Sequence, residues 1–117
     1  MSTRQAKGAA AEQMAADYLS RRGLAVLERN FRVRGGEIDL ICRDGATTVF
    51  VEVRLRSRSD FGGAAASITA AKQARLILAA RHWLQRRGET PCRFDCILLD
   101  GLESANIEWL RDAIVAD

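Results

Sequence analysis

The chain has 117 residues, 48% of them hydrophobic and 28% charged, which describes one soluble globular domain and excludes intrinsic disorder. A chain of this length buries roughly two-thirds of its unfolded surface and can fold without disulfide staples. The net charge of +3 is unevenly spread: residues 1–93 carry a balance of +8, and the remainder, an acidic strip, a balance of −5.

Three cysteines make an odd, sparse set that does not read as a disulfide framework. Cys92 and Cys96 are four residues apart, but with only His82 to join them they lack the ligands of a zinc site. The longest uncharged stretch, Phe61 to Ala71, is too short to cross a bilayer. No basic-then-apolar leader opens the sequence. These features predict a cytoplasmic protein. The basic excess favours polyanions such as nucleic acid, through phosphate contacts and counterion release.

Residues 5–22 read as a helix, because Ala11, Met14, Ala15, Tyr18 and Leu19 recur at helical spacing and Gly23 stops the run. Leu24 to Arg32 reads as a strand that ends before Arg34-Gly35-Gly36. Glu37 to Arg43 and Ala46 to Arg56 both alternate, with Val49, Val51, Val53 and Leu55 on one side of the second. Asp44-Gly45 between them is a strong hairpin signal. Ser57 to Ala66 is a small-residue loop holding Phe61 and Gly62-Gly63. Ser67 can cap a helix that runs to about Arg87, with Leu76, Ile77, Ala80, Trp83 and Leu84 inward and Gly88 as its stop. Arg93 to Leu99 is a strand apolar enough for a sheet interior. Ile107 to Leu110 is a short edge strand or turn. The order helix-strand-strand-strand-helix-strand predicts an α/β fold, a mixed sheet flanked by helices. One domain spans residues 1–117, with its core at about 5–100 and the acidic strip over 100–117.

A two-residue turn at Asp44-Gly45 sets Ile38 opposite Val51 and Leu40 opposite Val49. The apolar sides of both strands then coincide, and Cys42 joins them as core. Glu37, Asp39, Glu52 and Arg54 share the other face, with Asp39 and Glu52 as diagonal neighbours ~7–8 Å apart at Cα. A four-residue loop would set those two directly opposite. Crowded carboxylates repel one another unless neutralised. Arginines such as Arg54 and Arg34 are one solution and a hard divalent cation is the other, since Mg²⁺ takes one or two carboxylates plus waters and phosphate oxygens.

Gly36-Glu37-Ile38-Asp39-Leu40-Ile41 followed by Val49-Phe50-Val51-Glu52-Val53-Arg54 resembles the YraN family of small bacterial proteins. The likeness continues through the basic loop, Lys72 and Arg93-Phe94-Asp95, and includes Glu12 in the leading helix. That family is similar to Holliday junction resolvases and to PD-(D/E)XK nucleases, so the resemblance implies a restriction endonuclease-like fold. It implies Mg²⁺ or Mn²⁺ held by Asp39, Glu52 and the Val53 carbonyl, with Glu12 nearby. The implied chemistry is endonucleolytic hydrolysis of structured or branched DNA, in which an activated water attacks in line and leaves a 5′-phosphate. It leaves homodimerisation open.

Arg54 stands where that motif has lysine, and arginine stays charged at any accessible pH. Arg54 can stabilise charge on a phosphate but cannot act as a base. Lys72, on the following helix, is a substitute, because some members of that superfamily carry the lysine there. Arg34, Arg56 and Arg58 form the candidate phosphate-contacting strip. A protein that binds nucleic acid without cutting it, and an interaction scaffold using the acidic strip, are the competing expectations.

Overall fold

The computed structural model describes residues 4–55, 68–102 and 106–114. Its elements are α1 (Arg4–Arg21), β1 (Ala25–Val33), β2 (Gly36–Asp44), β3 (Thr47–Leu55), α2 (Ala70–Arg87), β4 (Cys92–Leu99) and β5 (Ile107–Ile114). The five strands form one sheet in sequence order. β3 and β4 are parallel, joined by a crossover that contains α2, and every other pairing is antiparallel. The fold is therefore α/β with a mixed sheet and two helices. No helix among the described residues is long and apolar enough to cross a membrane.

The helices cover opposite faces of the sheet. On one face, Ala11, Ala15, Ala16 and Leu19 of α1 pack on Leu40, Cys42, Val49, Val51, Ile97 and Leu99. On the other, Leu76, Ala79, Ala80, Trp83 and Leu84 of α2 pack on Ile41, Phe50, Phe94, Cys96 and Leu98. Small side chains on the buried stripe of α1 let that helix lie close to the strands. Trp83 is core: its ring meets Phe50 edge-on at 5.9 Å, and its Nε1–H donates to Glu28 at 3.1 Å.

Gly36 sets how closely α2 can approach. A Cβ there would lie 2.5 Å from the Arg75 carbonyl oxygen and 3.1 Å from the Ala79 nitrogen, so the close helix–strand crossing requires glycine. α2 begins at Ala70 under a Thr69 cap whose Oγ1 accepts from Lys72 N–H at 3.2 Å; Ser67 is not the cap. Gly88, at φ 101°, closes the helix by donating its N–H to Leu84 O.

Two expectations for the hairpin are corrected. Asp44 pairs with Thr47 across a Gly45-Ala46 turn, and the register runs Cys42 with Val49 and Leu40 with Val51. Glycine occupies the first turn position, where its φ of 61° is allowed, so Asp44 stays in the strand and meets Arg93 Nη2 at 3.0 Å. Second, Ile38 packs on the α2 side while Leu40 packs on the α1 side, so alternation breaks at Asp39 and no single face of β2 is apolar. The partner strand breaks at the same level. β1 pairs Arg29 with Leu40 and Phe31 with Ile38, and Asn30 between them adopts φ 52°.

β5 is longer than a terminal turn. It pairs with β4 over both ends, buries Ile114 in the α2-side core, and brings part of the acidic strip into the sheet. A register shift opposite Asp95 is held by that residue, which is wholly buried. Asp95 accepts from Asp112 N–H at 2.8 Å, Trp109 Nε1–H at 3.0 Å and Arg93 Nε–H at 3.2 Å. These partners define a structural carboxylate that clamps the β5 bulge.

Candidate metal centre

The register that corrects the turn also moves the two acids. The last paired rung of the β2–β3 ladder toward this end is Leu40–Val51, and one step further the chain sets Asp39 level with Glu52. Val53 N–H turns to the Asp39 side chain and donates to Oδ2 at 2.9 Å. The Asp39 and Glu52 carboxyls are themselves within hydrogen-bonding reach. The break in β2 aims Asp39 at this meeting point.

Both acids are half-buried, and that decides their electrostatics. Burial pushes the Asp39 carboxyl up to about 6, against the Val53 N–H, which favours the charged form. Burial, and next the Asp39 charge, push Glu52 up to about 8; Arg54 and Lys72 pull it down. Two half-buried carboxyls with raised pKa values share a proton when no cation lies between them.

Around Glu52, a small cavity of about 90 Å³ is lined by Glu37, Glu52, Arg54, Lys72 and Arg75. Lys72 therefore lies beside Glu52 from the first turn of α2. Arg75, one turn further on, joins it; sequence reading passed over this residue, although its i+3 spacing from Lys72 puts both on one helix face. Arg54 Nε is buried and, among the described residues, has no hydrogen-bond partner. Arg54 itself lines the cavity.

Other predicted residues divide. Burial pushes the Glu12 carboxyl up, with Asn30 beside the kink pulling it down, and its charge is felt by Asp39. Among the described residues no three His, Cys, Asp or Glu side chains converge as a metal cage. Val53 meets Asp39 through its N–H. Arg34 is exposed at the β1–β2 turn and does not line the cavity. Arg56, Arg58 and Phe61 lie outside the described residues. Burial pushes the Cys42 and Cys96 thiols up to about 12, which makes them inert core residues.

Fold and site together define a small α/β domain with two carboxylates converging from adjoining strands under a rim of basic side chains. The sequence matches the uncharacterised protein family UPF0102 over residues 11–99. It is 60% identical to a UPF0102 protein of Dechloromonas aromatica over 98% of this chain and 93% of that one. A UPF0102 protein of Nitrosomonas europaea is 57% identical over 97% of each chain, and one of Methylobacillus flagellatus 58% identical over 91% of this chain and 94% of that one. The chain belongs to the UPF0102 family.

Proposed function

We propose that this protein is a metal-dependent endonuclease-like enzyme that acts on structured or branched DNA, with Asp39 and Glu52 as its metal ligands. The convergence of these two half-buried carboxyls at the kink in β2 carries the reading. Two adjacent carboxylates, with Glu52 lining a cavity, suit Mg²⁺ or Mn²⁺, which complete their shells with waters and phosphate oxygens, better than a closed cage would. The buried Arg54 Nε, which has no hydrogen-bond partner among the described residues, and two adjacent carboxyls that repel when both are ionised are donors that suit a phosphate and a cation. When bound, the cation would supply Lewis-acid polarisation of a phosphodiester and acidify a water molecule.

The chain's own residues do the rest. Val53 N–H fixes Asp39 in one orientation, so the ligand pair is preorganised. Arg54, Lys72 and Arg75 line the cavity and offer positive charge to a phosphate, where guanidinium is the better bidentate partner. Lys72 is the one side chain of the three that can also give up a proton when desolvated. The element order and mixed sheet agree with a restriction endonuclease-like fold, which belongs to the same proposal.

A second reading has its own support: with Arg54 in the lysine position the protein binds DNA and does not cut it. A four-way DNA junction incubated with Mn²⁺ separates the two, with gel shift and product analysis run in parallel. Shifted and cleaved junction, with cleavage lost in Asp39→Asn, supports the enzyme; shifted but intact junction supports the binding protein. Neither shift nor product refutes both.

A further inference from the structure

The sheet face opposite the Glu52 cavity carries a second, larger hollow. It is an open hollow of about 580 Å³ between the C-terminal half of α1 and the start of β5, and Tyr18, Arg21, Arg22, Asp17 and Asn106 are among the residues that line it. That volume lies within the range of small-ligand sites. Tyr18 is a fixed platform in it. Its ring meets Trp109 edge-on at 6.4 Å, and Trp109 is in turn anchored by its Nε1–H bond to buried Asp95.

The open face of Tyr18 already accepts a planar cation, with Arg22 Cζ 3.5 Å from the ring centroid. Arg22 Nη1–H also reaches back to the Tyr18 carbonyl oxygen at a long 3.4 Å. Neither Arg21 nor Arg22 has a carboxylate within ion-pair distance among the described residues, although Asp17 lines the same hollow. Asp17 Oδ1 is taken up by Gln13 Nε2–H at 2.9 Å. A tyrosine face, two guanidiniums with no carboxylate partner among the described residues, and two small polar side chains thus share one concave surface.

We infer that this α1–β5 hollow binds a nucleoside phosphate, free or as an unpaired residue of a strand. The base stacks on Tyr18 in place of the Arg22 guanidinium, and the displaced Arg22 joins Arg21 on the phosphate. Stacking suits any base, because every base has a π-face. Guanidinium forks match phosphate oxygens. Asp17 keeps the phosphate to the arginine side and, with Asn106, offers hydrogen bonds to ribose hydroxyls or a base edge. The site is independent of the Asp39–Glu52 pair and lies across the sheet from it.

Calorimetric titration of the full chain tests this with AMP, adenosine, inorganic phosphate and a short single-stranded oligoadenylate as probes. The expected result is saturable AMP binding, with adenosine and phosphate each weaker by about tenfold or more, because each lacks one of the two contacts. Arg21→Ala/Arg22→Ala weakens AMP by a similar factor, whereas Tyr18→Phe, which keeps the ring, binds as the parent does. If the oligoadenylate binds tighter than AMP, the strand is the source; equal affinity marks the free nucleotide. Absence of AMP saturation, phosphate binding as tightly as AMP, or the double arginine variant binding AMP unchanged while still folded by circular dichroism would overturn the inference. Asp39→Asn/Glu52→Gln keeps AMP affinity in every supporting case, so failure here and failure of the nuclease reading are told apart.

Discussion

Val53 N–H donates to Asp39 Oδ2 at 2.9 Å, so a carboxylate stitches β2 to β3 just beyond the last paired rung of their ladder. That bond fixes Asp39 toward Glu52 and, in doing so, holds two acids together that repel when both are ionised. The stability of the fold and the chemistry of the site are therefore linked at one residue.

The first consequence is a pH dependence of stability. Both carboxyls have folded-state pKa values above their unfolded ones, about 6 for Asp39 and about 8 for Glu52. The folded state then binds more protons than the unfolded one, and this contribution to stability is complete below the unfolded carboxylate range and lost as pH rises through about 6 to 8. Urea midpoints should fall between pH 5 and pH 8 in the metal-free protein. Asp39→Asn/Glu52→Gln should flatten that slope and raise stability at pH 8 by about 1–2 kcal/mol. An unchanged slope in the double variant contradicts the account.

Gly36→Ala tests the seating of α2. A methyl group driven against the Arg75 carbonyl must push the helix off β2, at a cost of about 1–3 kcal/mol. Since α2 also carries Lys72 and Arg75, the variant should lose cavity function beyond its loss of stability. Chemical denaturation measures the first effect, and DNA binding at a temperature where the variant is fully folded measures the second.

Asp95→Ala should be among the most damaging single changes. It leaves Trp109 Nε1–H and Asp112 N–H without an acceptor around a buried vacancy, while Arg93 keeps Asp44, and each buried donor left unsatisfied costs about 1–3 kcal/mol. Thermal unfolding reads the loss directly. A shift of only a degree or two would mean that the β5 bulge does not depend on this carboxylate.

Lys72 and Arg54 separate by role. If Lys72 handles a proton, Lys72→Arg lowers cleavage by a factor of about 10²–10⁴ while binding is retained. Arg54→Lys leaves a charge in place and should change turnover far less. Comparable cleavage by Lys72→Arg and the parent protein would leave charge as the only contribution of Lys72.

Much of this architecture is written in local pattern. Strand alternation, the glycine stops at Gly23 and Gly88, and the helical spacing in α2 place six of the elements to within a few residues. Asp39 and Glu52 were legible because any even-length turn brings them to neighbouring positions. The sequence concealed what depends on packing from afar. Asp44-Gly45 reads as a turn, but Asp44 is held in the strand by Arg93, and the turn moves on to Gly45-Ala46. The break in alternation at Asp39 has no local signal, since Ile38, Leu40 and Ile41 are all apolar, and only two helices on opposite faces decide which way each points. β5 looked short because its polar residues hide a bulge clamped by Asp95. Arg75 was open to discovery from its helical spacing to Lys72.

Titration of the metal-free protein with Mn²⁺ in a calorimeter, beside Asp39→Asn and Glu52→Gln, tests the central claim most directly. The account predicts one saturable site per chain, proton release that grows as buffer pH falls from 8 toward 6, and loss of the site in either variant with the fold intact. Absence of Mn²⁺ binding by the folded parent protein, or equal binding by parent and both variants, would contradict it.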